Sequence, residues 1–363
     1  MNVDEASDLF ERRLRAIREE AAAHGVVDAG GVRPSGSPMP ATDGSAGYYG
    51  LPLLKPPVWT WEVPAYFFVG GAAGAASVIG AVARATGANS TLIRDARWVA
   101  AVGGAAAPPL LISDLGRPER FLNMLRVFKV RSPMSLGAWT LVAFSNAAAA
   151  SAFIDLVDRA TEGRLPIRFV GDAAEYLSAA TGLVLSTYTG VLIGATAIPV
   201  WSHNVHVLPV AFAVSSVGAA VSILELLGHE DASLNNLAIG AAAMRMLIGL
   251  SIEMRSDPVL KPLRTGQAGA LMRAGGLLAG PVPLAIRFLA GHSTSARRVA
   301  AAATIAGSFM TRVGWLAAGR TSAETPAIET SVASGFSRTL PGPERRAPSP
   351  EFPPSGPNVR PAP

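Results

Sequence analysis

Cysteine is absent from the 363 residues of this chain. The chain therefore forms no disulfide, offers no thiolate to a metal, and holds no iron–sulfur cluster of its own. Charge is also scarce, since 16% of the residues are charged and 50% are hydrophobic. Together these shortages exclude a disulfide-stapled domain and a cysteine-ligated metalloprotein.

The longest stretch without charge lies between Glu175 and Glu225, where no Asp, Glu, Lys or Arg occurs. About 20 apolar residues are enough to cross a bilayer, so this stretch is long enough for two crossings. Its middle contains His203, Asn204 and His206, which indicate where the chain returns to the membrane surface. The sequence therefore predicts a polytopic membrane protein.

The hydropathy pattern predicts an all-α transmembrane bundle of about eight spanning helices. An even number of spans places both ends of the domain on one side of the membrane. The expected spans are residues 64–83, 96–115, 134–155, 176–199, 205–227, 232–254, 267–290 and 299–318. Pro281 and Pro283 are expected to bend the seventh span.

Small residues recur at intervals of four in the fourth predicted span. They are Gly182, Ser186, Gly190 and Gly194. In lipid, close packing of small residues takes over the role that the hydrophobic effect plays in water. This stripe therefore predicts a face that packs closely against neighbouring helices.

Polar segments flank the bundle. Residues 1–47 are predicted to be a polar N-terminal extension and linker, residues 48–318 the transmembrane domain, and residues 319–363 a Pro-rich disordered tail. Residues 118–129 place Phe121 and Phe128 on one side, which predicts an amphipathic helix lying in the membrane interface. Basic residues flank the spans and form no patch, so no nucleic-acid partner is expected.

Three polar segments fall on the same predicted membrane face, together with the ends of the chain. They are LKPPVWTWEVP before the first span, SDLGRPERFLNMLRVFKVRSPMS after the second, and PVWSHNVHVLP after the fourth. The opposite face carries only short loops. Function is therefore expected on the face that holds the three segments.

Parts of these segments resemble the NrfD/PsrC family, the membrane subunits of polysulfide reductases. The resemblance covers about residues 48–318. It is carried by YYGLPLLKPPVWTWEVPAYFFVGGAAGAAS, DLGRPERFLNMLRVFKVRSPMSLGAW and TYTGVLIGATAIPVW.

The resemblance implies an integral subunit of a multi-subunit oxidoreductase in the bacterial cytoplasmic (inner) membrane. Such a subunit exchanges electrons between a quinone, either menaquinone or ubiquinone, and a ferredoxin-like iron–sulfur subunit. The iron–sulfur subunit in turn serves a molybdopterin or other catalytic subunit. The chain itself is expected to hold no haem, no iron–sulfur cluster and no other metal, and proton movement is a further expectation.

The resemblance also implies which residues contact the quinone. Family members use polar residues at the start of the first span and the Tyr of a Tyr-Thr-Gly motif in the fourth. Here these are Glu62, Tyr66 and Tyr188, although some relatives have Asn and His at the first span. Trp61 is expected to help form flat apolar walls for the ring, and His203 to exchange protons at the turn.

Charged groups at or within predicted spans include Asp114, Glu225, Arg245 and Glu253. Such groups are costly in lipid and are usually paired inside the bundle. Arg245 is the deepest, so it needs a carboxylate or several carbonyl groups, and Glu225 and Asp114 are candidate partners. A proton path from Glu62 through Asp114 toward Arg245 and Glu225 is one hypothesis, and a structural ion pair is the alternative.

Two other functional classes remain open from the sequence. A secondary transporter also has broken helices and buried charge, although no repeat relates spans one to four to spans five to eight. A purely structural membrane anchor is the third possibility. A haem-bearing cytochrome is disfavoured because the histidines near span ends form no stacked pairs.

Overall fold

The computed structural model describes residues 54–115 and 118–324, together with Glu19. The rest of the predicted N-terminal extension, and residues 325–363 of the predicted tail, lie outside the described residues. Within the described ranges the chain is helical and has no strand. Seven helical segments are long and apolar enough to cross a membrane. The chain is therefore a multi-pass integral membrane protein, as predicted.

Twelve α-helices occur within the described ranges, and long helices alternate with short ones. They are α1 (Glu62–Ala85), α2 (Ser90–Ser113), α3 (Phe121–Met124), α4 (Pro133–Ala160), α5 (Arg168–Gly194), α6 (Pro199–Ser202), α7 (Val207–Leu226), α8 (Ala232–Met254), α9 (Lys261–Arg264), α10 (Gly266–Ala279), α11 (Pro281–Ala290) and α12 (Thr294–Glu324).

Helix α2 corresponds to the predicted second span, but it is not one of the seven segments that are apolar enough to cross a membrane. Three charged residues in its first two turns lower its hydropathy. It is nevertheless 24 residues long, as α1 is, and runs antiparallel beside it. Gly103 faces Ala73, and Gly80 faces Ala96. Helix α2 therefore stands in the bundle as a full-length partner of α1.

The predicted small-residue face of α5 is confirmed. A Cβ at Gly182 would lie 2.7 Å from the Gly74 carbonyl oxygen of α1, and one at Gly190 would lie 2.6 Å from the Leu208 carbonyl oxygen of α7. The Ser216 hydroxyl of α7 donates to the Ser186 carbonyl at 3.4 Å. The stripe therefore lets α5 approach two neighbours at backbone distance.

The predicted bend in the seventh span is also confirmed. Helix α10 ends at Ala279, and α11 starts at Pro281 after Gly280. Proline has no N–H to continue the helical ladder, so the axis changes at this point. The two pieces together form one 25-residue spanning segment.

The bundle has two ends, which we call face A and face B. Face A carries residues 54–61, Asp114, and residues 118–132, 195–206 and 255–265. Face B carries residues 86–89, 161–167, 227–231 and 291–293. At face A, the Thr60 amide donates to Asp114 at 3.0 Å, and the Arg320 guanidinium donates to the Pro57 carbonyl at 3.2 Å. The three polar segments therefore share one face, as predicted.

The predicted interfacial helix over residues 118–129 is too long. A 3-10 turn, Pro118–Arg120, and the single turn of α3 are helical, and the chain then leaves the helix. The Ser135 hydroxyl donates to the Val127 carbonyl at 3.2 Å and accepts from the Lys129 amide at 3.0 Å. These bonds compete with continued helix because they hold the backbone against the start of α4.

The predicted boundary of the disordered tail at residue 319 is also wrong. Helix α12 continues to Glu324, six residues beyond the expected span. Gly319, Ser322 and Ala323 are buried, and the Ser322 hydroxyl accepts from the Val200 amide at 3.3 Å. Packing against the 198–202 segment therefore extends the helix into residues whose composition predicted a tail.

Candidate functional site

An aromatic cluster lies at face A, between the start of α1, the short helix α6 and α7. The Trp59 ring stacks on Trp201 with centroids 5.5 Å apart and a 12° interplanar angle. Its edge meets Phe67 at 6.4 Å, and Phe67 meets Phe212 at 6.0 Å and Tyr66 at 5.7 Å. The aromatic cluster therefore packs flat, apolar rings together at the face A end of the bundle.

Trp201 fixes the position of this cluster, and the sequence analysis did not identify it. Its side chain is fully buried, and its indole N–H donates to the Trp315 carbonyl at 2.8 Å. The ring packs where a Cβ of residue 319 would lie, so only glycine fits there. The only sequence signal was a tryptophan next to the polar turn. Its contact with Gly319 could not be predicted, because the two residues lie more than 100 positions apart in the sequence.

Two tyrosines named from the resemblance lie beneath the aromatic cluster. The Tyr188 hydroxyl donates to the Pro133 carbonyl at 2.6 Å, and its ring occupies the space beside Gly137 that a Cβ would fill. Tyr66 and Leu185 both contact Gly70, which places Tyr66 one helical turn from Tyr188 on the α1–α5 contact. The structure therefore brings the two tyrosines together.

The Tyr66 hydroxyl makes no hydrogen bond within the described residues. Its side chain is 1% exposed. An unpaired polar group at such depth costs free energy, and native structures usually satisfy it with protein, water or ligand. This hydroxyl is thus available to a bound molecule.

A carboxylate cluster lies directly above the tyrosines at face A. The Thr60 hydroxyl donates to Asp114 Oδ1 at 2.8 Å and is also in hydrogen-bond contact with Glu62. Glu62 precedes Tyr66 by four residues, so both lie on one side of α1. The predicted association of Glu62 and Asp114 is therefore present, and Thr60 is the link that the sequence analysis missed.

Two other predicted residues lie at face A but apart from the tyrosines. The Trp61 side chain is 67% exposed and makes no ring contact within the described residues, a position typical of an interface anchor. The His203 imidazole pairs with Asp257 at 3.0 Å, and both side chains are partly exposed. His203 thus joins the α6 segment to the loop before α9.

The predicted pairing of Arg245 with Glu225 or Asp114 is wrong. Glu225 lies at the face B end of α7, where it accepts hydrogen bonds from Arg287 at 2.8 Å and Arg297 at 3.4 Å. Arg245 lies at mid-height on α8 and forms no hydrogen bond or ion pair among the described residues. Glu62, Asp114, Arg245 and Glu225 therefore do not form one connected path.

Face B instead holds a buried ion network that the sequence analysis missed. Arg97 of α2 pairs with Asp155 of α4 at 2.6 Å and also with Glu175 of α5. Arg84 of α1 reaches Glu175 and Asp172, each at 2.9 Å. The sequence analysis treated several of these residues as span ends, whereas the structure places them inside helices and pairs them across the bundle.

A second arginine at mid-height was also missed. Arg312 of α12 is 1% exposed and has no carboxylate partner within the described residues. It donates to the hydroxyls of Ser215 at 2.7 Å and Ser216 at 2.9 Å. The rings of Phe68 and Phe212 lie 5.8 and 5.2 Å from its guanidinium carbon. Neutral acceptors and ring faces thus solvate this charge.

Comparison with known proteins supports the assignment of family. No curated protein gives a significant match to the chain. Residues 53–322 match the model of the family described as polysulphide reductase, NrfD. The match covers most of the chain, including the aromatic cluster, both tyrosines and the carboxylate cluster. The chain belongs to the polysulphide reductase NrfD family, whose members are membrane subunits of multi-subunit oxidoreductase complexes.

Proposed function

We propose that this chain is the quinone-reactive subunit of such a complex in the bacterial cytoplasmic membrane. It binds a quinone beneath face A and exchanges electrons with an iron–sulfur subunit docked on that face. The observation that carries the proposal is the buried Tyr66 side chain, whose hydroxyl has no hydrogen-bond partner among the described residues and which lies one turn below the carboxylate cluster.

The tyrosine pair fits the polar end of a quinone. A quinone carbonyl accepts hydrogen bonds but donates none, and the Tyr66 hydroxyl is a donor that has no acceptor among the described residues. Tyr188 has a different role, since its own proton is directed at the Pro133 carbonyl. Tyr188 therefore closes the α4 side of the site, and Tyr66 is the residue that donates a hydrogen bond to the quinone carbonyl. The neighbouring aromatic cluster supplies the apolar surface that ligand sites usually have.

The carboxylate cluster fits the proton requirement of quinone chemistry, which transfers two electrons and two protons. The Thr60 hydroxyl donates to one carboxylate and can accept from the other when that one is protonated. Glu62 is partly exposed at the membrane edge and shares a side of α1 with Tyr66. This arrangement supports a role for Glu62 and Asp114 as general acid and base that pass protons between water and the site.

The absence of cysteine supports the need for a partner. A chain without thiolates cannot hold an iron–sulfur cluster by itself, so electrons must leave through another subunit. We place that subunit on face A because the carboxylate and aromatic clusters both lie there. A molybdopterin or other catalytic subunit would complete the complex.

Quinone binding tests this proposal. Decylubiquinone should saturably quench the fluorescence of Trp59 and Trp201 in the purified full-length chain. Tyr66→Phe should weaken binding about fivefold, since one hydrogen bond contributes about 1 kcal/mol. Tyr176→Phe is the matched control because Tyr176 lies on α5 with 49% of its surface exposed.

Two outcomes would contradict the proposal. Equal affinities for the wild type and Tyr66→Phe would remove Tyr66 from the site. A wild-type chain without saturable quenching would favour the structural anchor, the alternative that lacks quinone chemistry.

A further inference from the structure

A pocket of about 440 Å³ lies between α8, α10 and the start of α11, apart from the proposed quinone site. Its walls are mostly apolar and include Met246, Leu250, Met272 and Leu277, and the charged residues Arg245, Glu253 and Arg273 also line it. Leu250 and Leu277 are about half exposed on the outer surface of the bundle. The pocket therefore opens sideways, toward the hydrocarbon region of the membrane.

Arg245 lines the inner end of this pocket. Its side chain is 7% exposed, its Nε is buried, and it has no hydrogen-bond partner within the described residues. The nearest carboxylate along α8 is Glu253, two turns closer to face A. That carboxylate also lines the pocket but is bound by Arg273 at 2.8 Å. Among the described residues, no side chain therefore neutralises Arg245.

Arg312 makes the imbalance of charge larger. It is a second buried cation, and neither it nor Arg245 has a carboxylate partner in the described part of the chain. A guanidinium stays charged in proteins, so it cannot avoid the cost of burial by losing its proton. Serines and aromatic rings solvate Arg312, whereas Arg245 is directed at an apolar pocket.

We propose that this pocket binds a lipid-soluble anion, a single-chain amphiphile whose carboxylate head pairs with Arg245. The mostly apolar walls favour an amphiphile over an inorganic ion. Because Arg245 has no carboxylate partner among the described residues, a carboxylate head group is favoured over a neutral one. Two oxygens match the planar fork of a guanidinium. The alkyl chain would leave through the opening between α8 and α10. This site does not depend on the proposed quinone chemistry.

Titration of the purified full-length chain with dodecanoate tests the proposal. The wild type should bind dodecanoate at least tenfold more tightly than dodecan-1-ol, which has the same chain without the charge. Arg245→Met should abolish that preference. Arg298→Met, which removes an exposed arginine at face B, should leave it unchanged.

A second variant keeps the arginine and fills the pocket. Gly276 lines the pocket, and a Cβ there would meet no atom within 4 Å. Gly276→Leu should therefore fold and should weaken dodecanoate binding at least tenfold. Three results would each overturn the proposal. The wild type could bind dodecan-1-ol as tightly as dodecanoate, either pocket variant could bind dodecanoate as the wild type does, or decylubiquinone could displace dodecanoate.

Discussion

At the scale of single residues, the candidate site depends on positions where a side chain is missing. The Tyr188 ring occupies the space where residue 137 would carry a Cβ, and the Trp201 ring does the same at residue 319. Each glycine sits opposite an aromatic ring whose polar atom bonds a backbone carbonyl. Small residues thus determine where the large ones lie.

Gly137→Ala should therefore lower stability. The added methyl group would displace the Tyr188 ring and its bond to Pro133, and overpacking of this kind costs about 1–3 kcal/mol. Gly240→Ala is the control, because a Cβ at Gly240 meets no atom within 4 Å. Thermal unfolding of the two variants in detergent measures the difference. Equal melting temperatures would show that the Tyr188 ring is not confined.

Glu62→Gln should slow quinone turnover without weakening quinone binding. Glutamine still reaches the Thr60 hydroxyl but cannot carry a transferable proton, and loss of a general acid or base costs roughly a hundredfold in rate. Quinone turnover by the assembled complex should fall by that factor while the affinity for decylubiquinone stays within twofold of wild type. Unchanged turnover would remove Glu62 from the proton route.

At the scale of helices, the sequence predicted which segments span the membrane but began several of them too late in the chain. It began the second span at residue 96 and the fourth at residue 176, whereas α2 begins at Ser90 and α5 at Arg168. Charged residues marked those false boundaries. Arg97 and Glu175 are 78 positions apart, so their pairing is invisible in a local window.

The limit of local sequence windows also explains which site residues the sequence could predict. Glu62, Tyr66, Asp114 and Tyr188 were predicted as site residues because they sit in blocks that resemble a family. Arg312 was missed because one arginine in an apolar segment carries no local sign of the serines and rings that solvate it. Partner choice, as for Glu225, likewise depends on contacts between distant helices.

Buried and exposed ion pairs should differ in their effect on stability. Glu225 and Arg287 are about 2% and 1% exposed, so Glu225→Gln leaves an unpaired buried cation that costs about 3–5 kcal/mol. Glu253 and Arg273 are about half exposed, so Glu253→Gln should cost about 1 kcal/mol or less. Thermal unfolding compares them, and a larger loss in Glu253→Gln would contradict the assignment.

At the scale of the whole molecule, the bundle separates two kinds of polar chemistry. Face A gathers hydroxyls, carboxylates and stacked aromatic rings that lie close to a free tyrosine. Face B gathers ion pairs that join α1, α2, α4 and α5 and saturate most of their charges. Face B is thus suited to hold helices together, and face A is where we propose that the quinone binds and protons are exchanged.

This arrangement predicts a specific topology across the membrane. Because the chain has no native cysteine, single cysteines report position directly. Asn123→Cys and Ser256→Cys at face A should react with an impermeant maleimide from one side of sealed vesicles. Glu162→Cys and Ser293→Cys at face B should react only from the other side. Labelling of all four from one side would contradict the bundle.

The most direct test of the central claim is a structure of the assembled complex with a bound short-chain quinone, solved by cryo-electron microscopy. We expect density for the ring beneath face A, with one carbonyl oxygen about 3 Å from the Tyr66 hydroxyl and the carboxylate cluster above it. Ring density at face B, or a Tyr66 hydroxyl without a ligand while the quinone binds elsewhere, would contradict the account.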